Sequence, residues 1–539
     1  MLQKRFYILA TIKKELETLA KKLISVIAVI FIILTAGSMN NNRVQDQPNS
    51  NFTPDKDENH STLLSPPYFK QLMSVTELLV KVEGKQKNGE FETAKKLITD
   101  YLTKFKSSIS EMELKLLNDE IERNRRIPLG YKLDENSLFN ELSKSIKGLN
   151  KSEFDRWLME GRFDFRIINS RKMFMNSSRS NLFFRYPELN ARRVDYNRNL
   201  NFANEVYTAV NSIKNGKASS DGVVRLPMKT QISHSLTLNN GIVNKGDKLS
   251  CWLPYPISLE SQNDIKLIST SYPVKSMDNE KSSIRSAYFE VTATSSKPLP
   301  FEIVYSYTAY SYYRKVDPLN VGKYDVESEL YKKYTAEDQH ISFSNEITSL
   351  AKKITGNETN PYKKAYKIYN WICDNIKYSY AVEYSTIRNI SEYTMERGYG
   401  DCGQQTLLFM SLCRSEGIPA RWQSGFTTYK SRQFIHDWAE IYIDPYGWIP
   451  VDTYMGVYFT SVSDALDSKK SKEIRDFYFG NMDYFRMVAN IGHCQQLKPW
   501  KKYLRADTVD FQRGEIESDS RNFYFDEWKY KIKVNSMPL

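Results

Sequence analysis

The run Gly398-Tyr399-Gly400-Asp401-Cys402-Gly403 passes directly into Gln404-Gln405-Thr406-Leu407-Leu408-Phe409. A glycine-rich turn therefore feeds a cysteine into the first turn of a helix. Unpaired N–H groups and the helix dipole favour an anion at that position. The thiolate, not the thiol, is the nucleophile, so such a start is one device for lowering a thiol pKa. Leu407, Leu408 and Leu412 make the helix amphipathic, and Gly417 ends it before Ile418-Pro419.

Downstream lie Phe434-Ile435-His436-Asp437-Trp438-Ala439-Glu440 and, after Asp444-Pro445-Tyr446-Gly447, Trp448-Ile449-Pro450-Val451-Asp452. Cys402, His436 and Asp452 fit a nucleophile, its base and the base's orienter. Of the five histidines, His60 falls in a linker and His234 in a β-rich segment, whereas His436 sits in a strand close behind the cysteine. Each residue alone has a plainer reading: a structural cysteine, a satisfied strand histidine, a turn aspartate. Their order and context carry the chemical one. An imidazolium near Cys402 would be the second device favouring a thiolate.

Strand geometry sets a condition. A two-residue turn at Pro445-Tyr446 would leave His436 and Asp452 on opposite faces. An odd-length loop, or a bulge for which Gly447 is suited, restores a common face. The Cys402 N–H is the natural first oxyanion donor, with Tyr380 or Gln404 as second. Asp401, Asp437 and Glu440 read as solvating or pairing carboxylates. Cys413 lies roughly 16 Å along the helix from Cys402, too far for a bond. His493-Cys494 reads as core or surface.

The rest of the chain narrows the context. Its 539 residues suffice for two to four domains, and 41% hydrophobic content suffices for their cores. Net charge is +12; residues 1–38 hold six basic and two acidic residues, leaving about +8 spread over the remainder. No Lys/Arg block with interleaved aromatics suggests nucleic acid. Cys251, Cys373, Cys402, Cys413 and Cys494 have no zinc-like spacing and no CxxC. No metal or other cofactor is expected. With Cys402 free, the other four are either buried thiols or two disulfides.

Basic residues, the apolar run 23–34 and small residues 35–38 give residues 1–38 the order of a secretory signal or, uncleaved, a membrane anchor. Residues 39–66 read as a flexible linker and 67–222 as a helical region. Residues 223–320 read as an antiparallel β-sandwich. Residues 321–510 place helices before strands, an α+β order, and 511–539 form a C-terminal extension with one strand.

The four blocks Gly400–Gly403, Gly417–Arg421, His436–Glu440 and Gly447–Asp452 together resemble the transglutaminase-like superfamily, which shares a papain-type core. Weaker similarity extends to Tyr478-Phe479-Gly480-Asn481 and Arg486, and Trp252-Leu253-Pro254-Tyr255-Pro256 looks like a β-domain that often precedes this core. The resemblance implies a site at Cys402, His436 and Asp452 working through a thioester without metal. It leaves the acceptor open, as water or an amine. The expected partner is a peptide or protein, with cell-wall peptide or glycan among the candidates, and the order of residues 1–38 sets the expectation of an extracytoplasmic location. The rival reading is a non-catalytic scaffold that holds a peptide or glycan in the same groove.

Overall fold

The computed structural model describes residues 67–538, with side chains from 75 to 535. The expectations for residues 1–38 and 39–66, His60 included, lie outside the described residues. The described part forms one compact unit and is α+β. Among its helices none is long and apolar enough to cross a membrane.

Helices dominate residues 67–214, where apolar side chains recur at helical spacing. Val75, Leu78, Val82, Ala94, Ile98 and Leu117 close one small core, and Leu138, Leu142, Phe154, Trp157 and Phe174 build another. This stretch also holds a hairpin, β1 (Phe165–Ile168) and β2 (Arg171–Phe174), that the helical reading missed. Its turn uses Asn169 and Ser170 at positive φ, without the glycine that would have marked it. The last helix, Leu200–Lys214, buries Phe202, Val206, Val210 and Ile213 in the core of the Cys402 helix.

Six strands follow: β3 (Pro227–Leu238), β4 (Lys248–Pro254), β5 (Gln262–Thr270), β6 (Ser276–Met277), β7 (Ser286–Thr292) and β8 (Leu299–Tyr310). A short parallel pair, β9 (Lys377–Tyr378) and β10 (Tyr399–Gly400), stands just before the Cys402 helix. The central sheet comprises β11 (Ala420–Thr428), β12 (Gln433–Ile443), β13 (Gly447–Val451) and β14 (Arg486–Asn490), in the order β13-β12-β11-β14. Pro450, which cannot donate to a ladder, lies on the edge strand β13.

The tail is not an appendage. Its strands β15 (Glu515–Ser518) and β16 (Trp528–Pro538) complete two four-stranded sheets, β15-β4-β7-β6 and β16-β3-β8-β5. Strand β16 pairs with β3 from Trp528↔Leu238 to Pro538↔Met228. Without it β3 would expose a long open edge, which folded sheets avoid. A sequence boundary cannot show this, because the partners are almost 300 residues apart.

The central sheet is shared between two cores. Phe426, Met487 and Ala489 belong to the sandwich core, while Trp422, Trp438 and Ile441 pack with the helices. The helix Pro361–Asn375, capped by Asn360, contributes Ala365, Ile368, Tyr369 and Ile372 to the helical side. Sheet and helices thus clamp the helix Cys402–Ser415, in which every residue from Gly403 to Arg414 is buried.

Candidate active site

Cys402 is the first residue of its helix, and Asp401 is the cap. The Asp401 carboxylate accepts from Gln404 N while Gln404 Oε1 accepts from Asp401 N, closing a capping box. The Tyr384 hydroxyl donates to Asp401 Oδ1 at 2.5 Å. Burial pushes the Asp401 carboxyl up to about 6, against the Tyr384 and Gln404 hydrogen bonds that favour its charge. Asp401 therefore fixes the turn that presents the thiol. Gly403 makes room next to it, since a Cβ there would stand 2.3 Å from the Tyr384 hydroxyl and 2.7 Å from Asp437 Oδ2.

The β12–β13 register decides how His436 meets Asp452. Ile443 pairs with Gly447 and Ala439 with Val451, so the loop is Asp444-Pro445-Tyr446, three residues long. This is the odd length that a common face requires, and Gly447 takes φ +77° at its end. His436 Nε2 lies 2.7 Å from Asp452 Oδ2, and both side chains are fully buried. Asp452 also caps the helix Thr453–Val457, its Oδ1 accepting from Met455 N at 3.0 Å. His436 is packed against the rings of Phe434, Trp438 and Tyr454. Burial lowers its pKa, and the Asp452 carboxylate works against that. Burial works to raise Asp452, but His436 and Arg486 hold it below the usual carboxylate range. With Nε2 on Asp452, the His436 Nδ1 is buried with no hydrogen-bond partner.

The sulfur's surroundings differ from the expected ones. Cys402 Sγ makes its hydrogen bond to Asp437 Oδ2, at 3.4 Å, and none to His436. Strand β13 ends at Val451, opposite Ala439, so β12 offers an open edge beyond that point. The sulfur draws there on the main-chain N–H of Asp437. The thiol pKa is not lowered in this state. Burial pushes it well up, and the Asp437 and Asp401 carboxylates add to the effect. No hydrogen bond from His436 offsets them. Asp437 is the residue that sequence reasoning missed. It read as a pairing carboxylate beside the motif, yet it is buried and touches the sulfur. Glu440, in contrast, pairs with Arg421 at 2.6 Å.

The tail closes one side of the site. Gln512 Nε2 donates to the His436 carbonyl at 2.8 Å and to Asp437 Oδ1 at 2.6 Å. A cavity of about 360 Å³ opens at Cys402, walled by Tyr378, Tyr380, Phe434 and Tyr454 on the aromatic side and by Asp507, Asp510 and Arg513 on the tail side. Tyr380 lines this cavity with its ring against Phe184 and Tyr378, its main chain held by Asn181. Gln404 does not line it. Its Oε1 is taken by the capping box, and its Nε2 is buried without a hydrogen-bond partner. Of Tyr380 and Gln404, Tyr380 is the one that lines the cavity.

The other cysteines are separate. All five thiols are free among the described residues, and Cys251, Cys373 and Cys413 are buried. His493 Nε2 contacts the Gln339 carbonyl at 2.9 Å, away from this cavity. Among the described residues no group of three or more His, Cys, Asp or Glu is placed to hold a metal ion.

The fold is α+β, and the match to a known family spans Cys402, His436 and Asp452. Residues 348–453 match the family model described as the transglutaminase-like superfamily. The chain is 25% identical over 242 residues to an uncharacterized protein of Haemophilus influenzae, covering 40% of this chain and 64% of that one. It is 28% identical over 191 residues to the uncharacterized protein YebA of Bacillus subtilis, covering 30% and 25%. The chain thus spans less than two thirds of the curated relatives it matches. Among solved structures it is similar to a Cytophaga hutchinsonii chain described as a candidate cysteine protease, at 17% identity, TM-score 0.39, and 59% and 93% coverage. It is also similar to the periplasmic domain of TgpA from Pseudomonas aeruginosa, at 12% identity, TM-score 0.25, and 48% and 94% coverage.

Proposed function

We propose that the protein is a thiol-dependent acyltransferase or hydrolase of peptide amides, acting outside the cytoplasm. The observation that carries this reading is the joint placement of Cys402 at a capped helix start and of a buried His436–Asp452 pair whose Nδ1 is unengaged. Cys402 attacks the amide carbon, forming the S–C bond. Its proton passes through His436 Nδ1 to the departing nitrogen as the C–N bond breaks, releasing an amine or ammonia. Water or a primary amine then takes the acyl group from the thioester, with His436 accepting its proton. Asp452 keeps the ring oriented and stabilises its charged form. The Cys402 N–H and Tyr380 face the developing oxyanion. The extracytoplasmic setting rests on the order of residues 1–38.

A binding scaffold is the second reading, and one observation favours it: the sulfur bonds to Asp437 rather than to His436. Catalytic hydrogen bonds are often loose before substrate arrives, so the enzyme reading stands ahead. The test is mass spectrometry on glutamine-containing peptides, with and without a primary amine. Transfer adds the amine and removes ammonia; hydrolysis gives a deamidated or cleaved peptide. Cys402→Ala and His436→Ala should each abolish turnover, since members of one unit act together. Activity retained by Cys402→Ala would overturn the thiol mechanism.

A further inference from the structure

Two arginines line the Cys402 cavity, in opposite electrostatic situations. Arg513 is neutralised twice, by Glu383 at 2.7 Å and Asp507 at 3.4 Å. Arg432 has no carboxylate within ion-pair distance among the described residues. Its guanidinium lies over the rings of Phe434 at 5.1 Å, Phe202 at 5.5 Å and Tyr458 at 5.8 Å. The Tyr458 hydroxyl is its polar partner. Ring faces stabilise a cation, but they leave the planar donor fork of arginine largely unfilled.

The cavity's acids are differently placed. Asp401 is held by Tyr384 and Gln404, Asp437 by Gln512, and Glu383 and Asp507 by Arg513. Burial pushes Asp510 toward its neutral form. An anionic group entering this space therefore meets one unneutralised cation. Arg432 comes four residues before His436 on the same chain segment, so the position of this cation is tied to that of the base.

We propose that Arg432 is a specificity-determining residue that binds a carboxylate of the acyl donor, so that the substrate class is a peptide carrying a free carboxylate close to the reacting amide. The fork of a guanidinium matches a carboxylate through two parallel hydrogen bonds. The aromatic walls around it exclude water and accept the apolar part of the same residue. This inference rests on the reading of Cys402 as the nucleophile.

The test uses two N-iodoacetyl dipeptides that differ only in carrying a glutamate or a glutamine. Each alkylates Cys402, forming an S–C bond with loss of iodide and of the thiol proton. Rates are followed at Cys402 by peptide mass spectrometry on the full chain. The native protein should take the glutamate probe about tenfold faster than the glutamine probe, the size of a charge-assisted hydrogen bond. Arg432→Gln should reduce that ratio to about one, and Arg432→Lys should keep part of it. Equal ratios in native protein and Arg432→Gln would overturn the proposal. If Arg432→Gln does not fold, the reference becomes native protein in urea. A folded-state ratio no higher than the urea value overturns the proposal, and a higher one supports it. The absolute glutamine-probe rate reports separately on whether Cys402 is a reactive thiol, so a failed nucleophile and a failed subsite give different results.

Discussion

Arg486 Nη2 lies 3.0 Å from Asp452 Oδ2, the same oxygen that meets His436 Nε2 at 2.7 Å. Arg486 also reaches Asp483 Oδ2 at 3.3 Å, and all of these side chains are buried. The Asp452 carboxylate is thus itself held, by a cation from β14. Burying a charge without a partner is costly, and a shared guanidinium stabilises two carboxylates at once.

Arg486→Met should therefore destabilise the fold by about 3–5 kcal/mol, the range for breaking a buried pair from one side. Urea denaturation monitored by tryptophan fluorescence measures it. Arg486→Lys restores charge without the fork and should recover part of the loss. A midpoint unchanged in Arg486→Met would mean that Asp452 does not depend on this contact.

The Asp437 carboxylate at the sulfur gives a prediction with a definite sign. Burial raises the Cys402 pKa first, and Asp437 raises it further. Asp437→Asn removes the second cause, so the thiol should ionise at lower pH. The iodoacetamide rate at Cys402, followed from pH 6 to pH 10, should rise earlier in the variant. A shift of one pH unit corresponds to about tenfold in rate below the midpoint. An unchanged or later rise would show that Asp437 does not hold the thiol protonated.

The sequence carried the placement of Cys402 and its helix because glycine, cap and apolar spacing are local signals. It also carried the condition on the β12–β13 loop, which strand parity dictates and which the three-residue loop satisfies. It did not carry the contact of Arg486 with Asp452, which depends on β14 pairing with β11. Nor did it carry Gln512. That residue reaches Asp437 because β15 and β16 return to the sandwich, a pairing with no trace in local pattern. Asp437 stands inside the motif, but its contact with the sulfur depends on where β13 ends. Local chemistry was readable; contacts set by distant strand pairing were not.

Acid should weaken the fold in part through His234. This residue is fully buried on β3, edge-on to Phe426 and Tyr530, and burial lowers its pKa to about 4. A group that binds its proton more readily when unfolded makes stability rise with pH. Its contribution is complete above about pH 6.5 and is lost as pH falls from about 6.5 to about 4. By pH 5 the loss from His234 amounts to about 2 kcal/mol relative to pH 7.5. His340, also brought to about 4 by burial, acts with the same sign. His234→Leu should therefore be less sensitive than the native chain between these pH values in urea titrations. An equal pH dependence in the two proteins would exclude His234 as a source of the acid limb.

Gly425 is where sheet geometry and site meet. It pairs with His436 across β11 and β12, and its β11–β14 pairing shifts register between Ser424 and Gly425. A Cβ at this position would stand 1.8 Å from the Met487 carbonyl oxygen, a main-chain atom that cannot rotate aside. Gly425→Ala must therefore push β14 away from β11. Overpacking of this kind costs about 1–3 kcal/mol. Because β14 also carries Arg486, the displacement should loosen the Arg486–Asp452 contact and lower turnover beyond what reduced folding explains. Gly84→Ala is the control: it lies in the helix Pro67–Lys87 with open space around its Cβ. Alanine there should stabilise by about 0.5–1 kcal/mol through helix propensity. Denaturation midpoints compared with turnover per folded molecule separate the two effects. Full turnover per folded molecule in Gly425→Ala would mean that β14 can move without disturbing the His436–Asp452–Arg486 arrangement.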